Sequence, residues 1–465
     1  MPCSTLDAPC EFDAELIQRL DRRGPRYTSY PTADRFHDHF GLSDYMHAVR
    51  TRTQRALSMY VHIPFCESVC YYCACNKVVT RRHDMAEEYL RRLLRELELH
   101  AAMLGGGQRI EQSHLGGGTP TYFSDTQLAR LMGAIRAGFG LAADDIGEFS
   151  IEVDPRTVTP ERIAHLRAFG FNRLSFGVQD FDPAVQKAVH REQSFEQTHA
   201  LVAAARDARF RSVSIDLIYG LPLQTPASFT STIGQLCALN PDRVAVYSYA
   251  HLPQVFKPQR RIDTAQLPTP ASKLDLLRVV IERLTQAGYA HIGMDHFAKM
   301  EDSLAVAQRQ GRLHRNFQGY STHASANLIG VGVSAIGAMG ATYSQNEKDL
   351  ARYNARIDAG EIPIARGVAL SRDDVVRRSV IQALLCHNEL SKRAIETTFS
   401  IGFDEYFESE LRELEAFAME GLVELDDDWI TISPRGRLLA RNIAMPFDRY
   451  LREHQTANRY SRTIG

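Results

Sequence analysis

Four cysteines fall within ten residues, as Cys66-Glu-Ser-Val-Cys70-Tyr-Tyr-Cys73-Ala-Cys75, directly after the apolar run Tyr60-Val-His-Ile-Pro-Phe65. Three thiolates spaced this closely on one loop can hold three irons of a [4Fe–4S] cluster. The fourth iron is then open to a small molecule, which makes such a cluster a reaction centre as well as an electron carrier. Structural zinc is the competing chemistry, but zinc sites usually draw their cysteines from two separated pairs. Four ligands on one ten-residue loop would crowd a tetrahedron. Cys75, two positions after Cys73, reads as a non-ligand whose thiol lies near the reaction chamber.

The elements that must position this loop follow from periodicity. From about residue 56 to 295 short β-rich runs alternate with amphipathic helical stretches. The strand candidates are 58–63, 112–115, 148–153, 173–176, 212–218 and 243–249. Tyr89, Leu90, Leu93, Leu94 and Leu97 recur at helical spacing opposite Arg and Glu, and 125–137, 160–169, 196–208 and 226–239 behave similarly. Six successive βα units predict a parallel sheet with helices outside it, short of the eight units of a closed barrel. The expected fold is α/β, a partial (β/α)6 TIM-like barrel. The cysteine loop and Gly116-Gly-Gly-Thr-Pro120 then follow the first two strands. Glu152 and Asp154 end the third, Gln179 and Asp180 lie just past the fourth, and Asp216 closes the fifth. Tyr249-Ala-His-Leu-Pro253 follows the sixth. In a β/α barrel the carboxyl ends of the strands share one face, and that face carries the chemistry.

Around this core, residues 1–55 read as an irregular arm over the active site, 56–300 as the barrel, and 301–365 as a connecting segment completing the site. Residues 366–465 read as a smaller, mainly helical domain, with helices over 375–386 and 407–420 and a hairpin around Asp426–Asp428. That lobe has a winged-helix look but no basic recognition helix, which argues against nucleic acid. The chain has 465 residues, 44% hydrophobic and 24% charged, with a formal net charge of −2, so no global field draws in nucleic acid or an anionic membrane. No apolar run is long enough to span a membrane, and the first residues do not read as a signal peptide. A reducing cytoplasm is therefore the expected setting for the eight cysteines. Cys237 and Cys386 read as buried small hydrophobes, and Cys3 and Cys10 as incidental.

The spacing CxxxCxxC, with an aromatic residue before the third cysteine, resembles the radical S-adenosylmethionine (SAM) enzymes. Glycines 116–118 can bring backbone N–H groups close to a ligand, Glu152 can neutralise an ammonium, and Asp216 can accept from ribose hydroxyls. With Ser150-Ile-Glu-Val-Asp-Pro155, Phe171-Asn-Arg-Leu-Ser-Phe-Gly-Val-Gln-Asp180, Arg191-Glu-Gln193, Ile215-Asp-Leu-Ile-Tyr-Gly-Leu-Pro222, Gly293-Met-Asp-His-Phe297 and Arg315-Asn-Phe-Gln-Gly-Tyr320, the chain from about Gly24 onward is similar to the oxygen-independent coproporphyrinogen III oxidases. Tyr72 stands where that family also uses Phe, His190 stands where Asn is expected, and Thr322–Asn327 diverges.

The resemblance implies Cys66, Cys70 and Cys73 as cluster ligands, and two SAM molecules side by side. The first would contact Tyr60, Gly117, Glu152 and Ile336. The second would contact Tyr72, Gly118, Thr119, Gln179, Arg191, Asp216 and Ala250. No protein acid–base pair performs the central step, and Cys75 acts only from nearby. The implied reaction turns two propionates of coproporphyrinogen III into vinyl groups, giving protoporphyrinogen IX in haem biosynthesis through a 5′-deoxyadenosyl radical. It needs a low-potential electron donor such as flavodoxin or ferredoxin, and the chain is expected to be a monomer. Arg26, Arg260 and Arg261 are candidate partners for substrate carboxylates. The alternative is a haem-chaperone relative, which shares the cysteine loop and glycine motif. It places an aromatic residue where Cys75 stands and lacks the long N-terminal arm.

Overall fold

The structure is a computed structural model, which describes residues 9–53, 56–324, 326–454, 460, 462 and 464. Cys3 lies outside them. Twelve strands build one sheet: β1 (Leu57–Ile63), β2 (Ile110–Gly117), β3 (Glu148–Val153), β4 (Arg173–Gln179), β5 (Ser212–Tyr219), β6 (Arg243–Ser248), β7 (Tyr289–Gly293), β8 (His296–Lys299), β9 (Asn327–Val331), β10 (Ile336–Met339), β11 (Thr342–Asn346) and β12 (Ile364–Ala369). Their order is β12-β11-β10-β9-β1-β2-β3-β4-β5-β6-β8-β7. β1 to β6 pair in parallel with their sequence neighbours. The two outer strands β12 and β7 do not pair with each other, so the sheet curls as an open, partial barrel.

Helices α1 (Asp84–Leu104), α2 (Asp125–Phe139), α3 (Pro160–Ala168), α4 (Phe195–Asp207), α5 (Pro226–Leu239) and α6 (Pro270–Gln286) follow the six strands. Most start at side-chain caps: Ser124, Ser194, Thr225 and Thr269 each accept a backbone N–H three residues on. The strands alternate strictly. Phe149, Ile151, Leu174, Phe176, Val213 and Ile215 are buried in the main core cluster with apolar residues of the surrounding helices. The opposite face carries Ser150 and Glu152, Ser175, Gly177 and Gln179, and Ser214 and Asp216, all half-buried. Parallel register sets these side by side: Glu152 pairs with Ser175, Ser175 with Ser214, and Gly177 with Asp216. A period of two thus separates a packing face from a polar, small-residue face that leaves room inside the curl.

Two segments differ from their expected form. Residues 327–369 supply β9 to β12, and β9 lies parallel to β1, so the parallel part of the sheet has one strand more than the six read from periodicity. The arm packs against the C-terminal segment: Tyr27 and Tyr30 are buried, Tyr27 Oη donates to Asp448 at 3.1 Å, and Arg441 donates to the carbonyls of Gly24 and Pro25. The smaller lobe contains α7 (Arg372–His387), α8 (Lys392–Phe399) and α9 (Glu408–Met419) around a three-stranded antiparallel sheet. The hairpin turns where Asp426 Oδ1 accepts the N–H groups of Asp428 and Trp429. Cys386 is buried and Cys237 half-buried. Among the described residues no helix is long and apolar enough to cross a membrane.

Candidate active site

The cysteine loop leaves the end of β1 and is closed at its base. Val78 N–H donates to Pro64 O at 2.8 Å and Thr80 N–H to Cys66 O at 2.9 Å, making a short two-stranded parallel pair. Its far side is tied to the segment after β4. Tyr71 N–H donates to Val189 O at 3.0 Å, His190 Nδ1 meets Val69 O at 2.8 Å, and the Tyr71 and His190 rings stack at 5.1 Å. Gln259 reaches the same loop from beyond β6: its Nε2 donates both to Tyr72 O (3.1 Å) and to Ala250 O (3.2 Å). The loop is a held platform.

That platform roofs a cavity of about 500 Å³, inside a range usual for small-molecule sites. Cys66, Cys70, Tyr72, Cys73, Cys75, Gly117, Gly118, Thr119, Glu152, Gln179, Arg191 and Asp216 all line it. Three other expected residues stand behind the wall. Tyr60 stacks on His114 at 6.0 Å, and its Oη meets His62 Nδ1 at 3.1 Å. Ala250 contributes the carbonyl bonded to Gln259. Ile336 packs against Gly330, whose register partner is Tyr60. None of the described arm residues lines this cavity.

The glycine triplet has a different role from the one read in sequence. Gly117 adopts φ +120°, and a Cβ on Gly118 would sit 2.6 Å from Pro64 O, so the turn is pressed against the start of the cysteine loop. The N–H groups of Gly117, Gly118 and Thr119 are already taken, by Glu152 Oε2, Ile63 O and Phe65 O. The triplet therefore anchors the cysteine loop; it does not offer these N–H groups to a ligand. Asp216 sits within β5, not at its end, and Gln179 is the last residue of β4. Gln179 holds φ +75° beside a register shift, a conformation a non-glycine residue adopts at a cost.

Two guanidinium groups meet one thiol. Arg191 Nη1 and Arg156 Nη2 lie 3.3 and 3.4 Å from Cys70 Sγ, and both bind Asp154 Oδ2, at 3.2 and 2.7 Å. Burial opposes ionisation of Asp154, but Arg191 and Arg156 outweigh it and hold its carboxyl below the usual range. Thr119 Oγ1 donates to Cys66 Sγ at 3.5 Å, although burial pushes that thiol up to about 11. The Cys73 thiol is lowered, first by a hydrogen bond from Cys75 and then by the Lys77 ammonium. Across the cavity Asp216 is raised to about 7, by burial first and then by the charge of Glu152, with Ser175 opposing. Glu152 accepts from His114 Nε2 at 3.1 Å and remains 41% exposed to the cavity. Arg156, Lys77, Ser175 and Tyr247 also face this space. Arg156 had a signal in the sequence, two residues past the charged end of a strand.

Residues 60–236 match the Radical SAM superfamily and residues 370–439 the HemN C-terminal domain. An oxygen-independent coproporphyrinogen III oxidase of Pseudomonas aeruginosa is 51% identical over 455 residues, covering 97% of this chain and 99% of that protein. This chain belongs to the oxygen-independent coproporphyrinogen III oxidase family. The Escherichia coli relative of the same name is 50% identical across 98% of this chain and 99% of its own length. A solved structure of coproporphyrinogen III oxidase from Escherichia coli, described as a radical SAM enzyme, superposes with TM-score 0.91 at 48% identity over 96% of this chain and all of that one. The chain is thus a radical SAM enzyme, and family membership implies a [4Fe–4S] cluster and SAM. The donor set fits. The three thiols are spread around one cavity, as a cluster that binds each at a different iron requires.

Proposed function

We propose that this enzyme converts two propionate side chains of coproporphyrinogen III into vinyl groups, giving protoporphyrinogen IX in haem biosynthesis. A [4Fe–4S] cluster on Cys66, Cys70 and Cys73, with SAM at its open iron, would supply the 5′-deoxyadenosyl radical that removes a β-hydrogen from a propionate. Loss of CO₂, and of one electron to a one-electron acceptor supplied from outside the chain, would complete each vinyl group; a low-potential donor such as flavodoxin or ferredoxin would supply the separate electron that cleaves each SAM.

The chain's own residues bind and orient. Glu152, exposed to the cavity, would neutralise the ammonium of the first SAM, with Gly117 beside it on the lining and Tyr60 and Ile336 behind the wall. Asp216, behind it, is suited to ribose hydroxyls of a second SAM, with Tyr72, Gly118, Thr119, Gln179, Arg191 and Ala250 around that molecule. Arg191 and Arg156, each in contact with Cys70 Sγ and tied to Asp154, fix that side chain toward the cavity. No side chain is required as acid or base. The enzyme acts as a cytoplasmic monomer.

The observation that carries this reading is the convergence of the three loop thiols, Glu152 and Asp216 on one cavity. Equilibrium dialysis of SAM against the anaerobically reconstituted protein tests the binding scheme. Two SAM per chain for the wild type and one for Gln179→Ala are expected. A single SAM in both would remove the second site.

A further inference from the structure

Among the described residues, one buried arginine next to the site has two side-chain donors that find no acceptor. Arg315, in the short strand His314–Asn316, is 4% exposed, and its Nε and Nη1 have no hydrogen-bond partner. Its guanidinium lies 4.9 Å from the Tyr320 ring centroid and interacts with the Tyr320 hydroxyl, which holds it in place while Nε and Nη1 stay unbonded. Other buried arginines are matched: Arg173 to Glu148, Arg191 to Asp154, and Arg441 to the carbonyls of Gly24 and Pro25.

The surroundings of Arg315 are cationic. Asp295 is the carboxylate whose charge reaches Tyr320 and His296 next to it, and Arg26 already binds Asp295 Oδ2 at 3.3 Å. Burial, followed by Arg26 and, more weakly, Arg315, outweighs Asp295 and pushes the Arg441 guanidinium down to about 10. His296 Nδ1 and Gln318 Nε2 are likewise buried without partners. The cluster adjoins the site already described: Tyr247 lines the cavity, its ring meets His296 edge-on at 6.0 Å, and His296 meets Tyr320 at 5.2 Å. The other two arginines of the sequence reading are occupied at the surface, Arg260 with Pro253 O and Arg261 over the Tyr71 ring.

Unfilled, buried donors and surplus positive charge next to a cavity call for an anion with several acceptor oxygens. We infer that Arg315, supported by Arg26 at the outer side, binds a propionate carboxylate of the substrate and so anchors the macrocycle beside the cluster. The inference rests on the proposed function, because a tetracarboxylate substrate supplies that anion.

Binding of coproporphyrin III, the stable oxidised analogue, to the reconstituted holoenzyme tests it, followed by porphyrin fluorescence alongside steady-state turnover. Arg315→Gln should raise Kd and KM on the order of tenfold or more, leave kcat near wild type, and leave SAM cleavage without substrate unchanged. Arg315→Lys should recover part of the loss. The uncharged tetramethyl ester gives the readout a merely structural role would not move: wild type should prefer the acid, and Arg315→Gln should lose most of that preference. If Arg315→Gln does not fold, Arg26→Gln, on a partly exposed side chain, should show a smaller rise of the same sign. Arg260→Gln should match wild type. An acid-over-ester preference unchanged in the Arg315 or Arg26 variant would overturn the inference. A wild-type protein that neither binds coproporphyrin nor turns over coproporphyrinogen would overturn the function beneath it.

Discussion

The parallel strands carry buried charge at both ends, and the two ends use it in opposite ways. At the amino ends, Glu148, Arg173 and Arg243 are the first residues of β3, β4 and β6. Glu148 Oε1 accepts from Arg173 at 2.7 Å and from Ser303 at 3.3 Å, while Arg243 clasps Asp302 at 2.9 and 3.0 Å. Each charge there is paired with an opposite charge within the protein, although Arg173 Nε itself finds no acceptor. Toward the carboxyl ends, Glu152 and Asp216 face one cavity and feel each other's charge, with hydroxyl, imidazole and backbone hydrogen-bond partners. One end closes its charges among themselves and buys rigidity; the other leaves them open to a ligand. The same residue types thus mean structure or function according to which end of the strand they occupy.

The largest expected effect falls on the loop end. Cys70→Ser should abolish cluster loading and turnover, read as iron and sulfide content after reconstitution, whereas Cys75→Ser should keep the iron and lose activity. Iron lost in both would make Cys75 a ligand. The amino end answers in stability instead. Arg173→Met strands a buried carboxylate and should cost about 3–5 kcal/mol in denaturant titrations, with specific activity of the folded fraction retained.

Two pH effects sharpen the contrast. Burial would raise Glu148, but Arg173 and Arg243 outweigh it and hold it near 2. Its stabilising contribution is complete above the unfolded carboxyl range and is lost as pH falls toward 2; Arg173→Met should flatten that acid limb. Asp216, raised to about 7, behaves in reverse: the folded state favours the protonated form, so stability drains away as pH rises from the ordinary carboxyl range to about 7. Asp216→Asn should therefore raise the melting temperature at pH 8 and not at pH 4, while turnover falls. Equal shifts at both pH values would refute the strained-carboxylate reading. The smallest change is Gln179→Gly, which relieves a left-handed backbone and should gain ~1 kcal/mol while impairing turnover.

Much of this was legible because β/α architecture converts sequence order into spatial convergence. The shared carboxyl face of successive βα strands gathers Glu152, Gln179 and Asp216 from sequence order alone, and the cysteine spacing points to a cluster. What stayed hidden depends on long-range contacts. Gly116–Gly118 read as a ligand cradle because close backbone approach is visible in sequence but its partner is not; that partner is the 63–65 segment. The run Asn327–Val331 was read as a connection since a single buried strand without a following helix carries no βα signature. Arg315 could not be told from a surface arginine until its burial was known.

The most direct measurement is an anaerobic turnover of coproporphyrinogen III by the reconstituted enzyme with SAM and a reductant, following porphyrin product and 5′-deoxyadenosine together. The expected result is protoporphyrinogen IX formed in step with deoxyadenosine, and neither product from Cys70→Ser. Deoxyadenosine without any vinyl product would contradict the account, leaving a radical SAM enzyme whose substrate is another molecule.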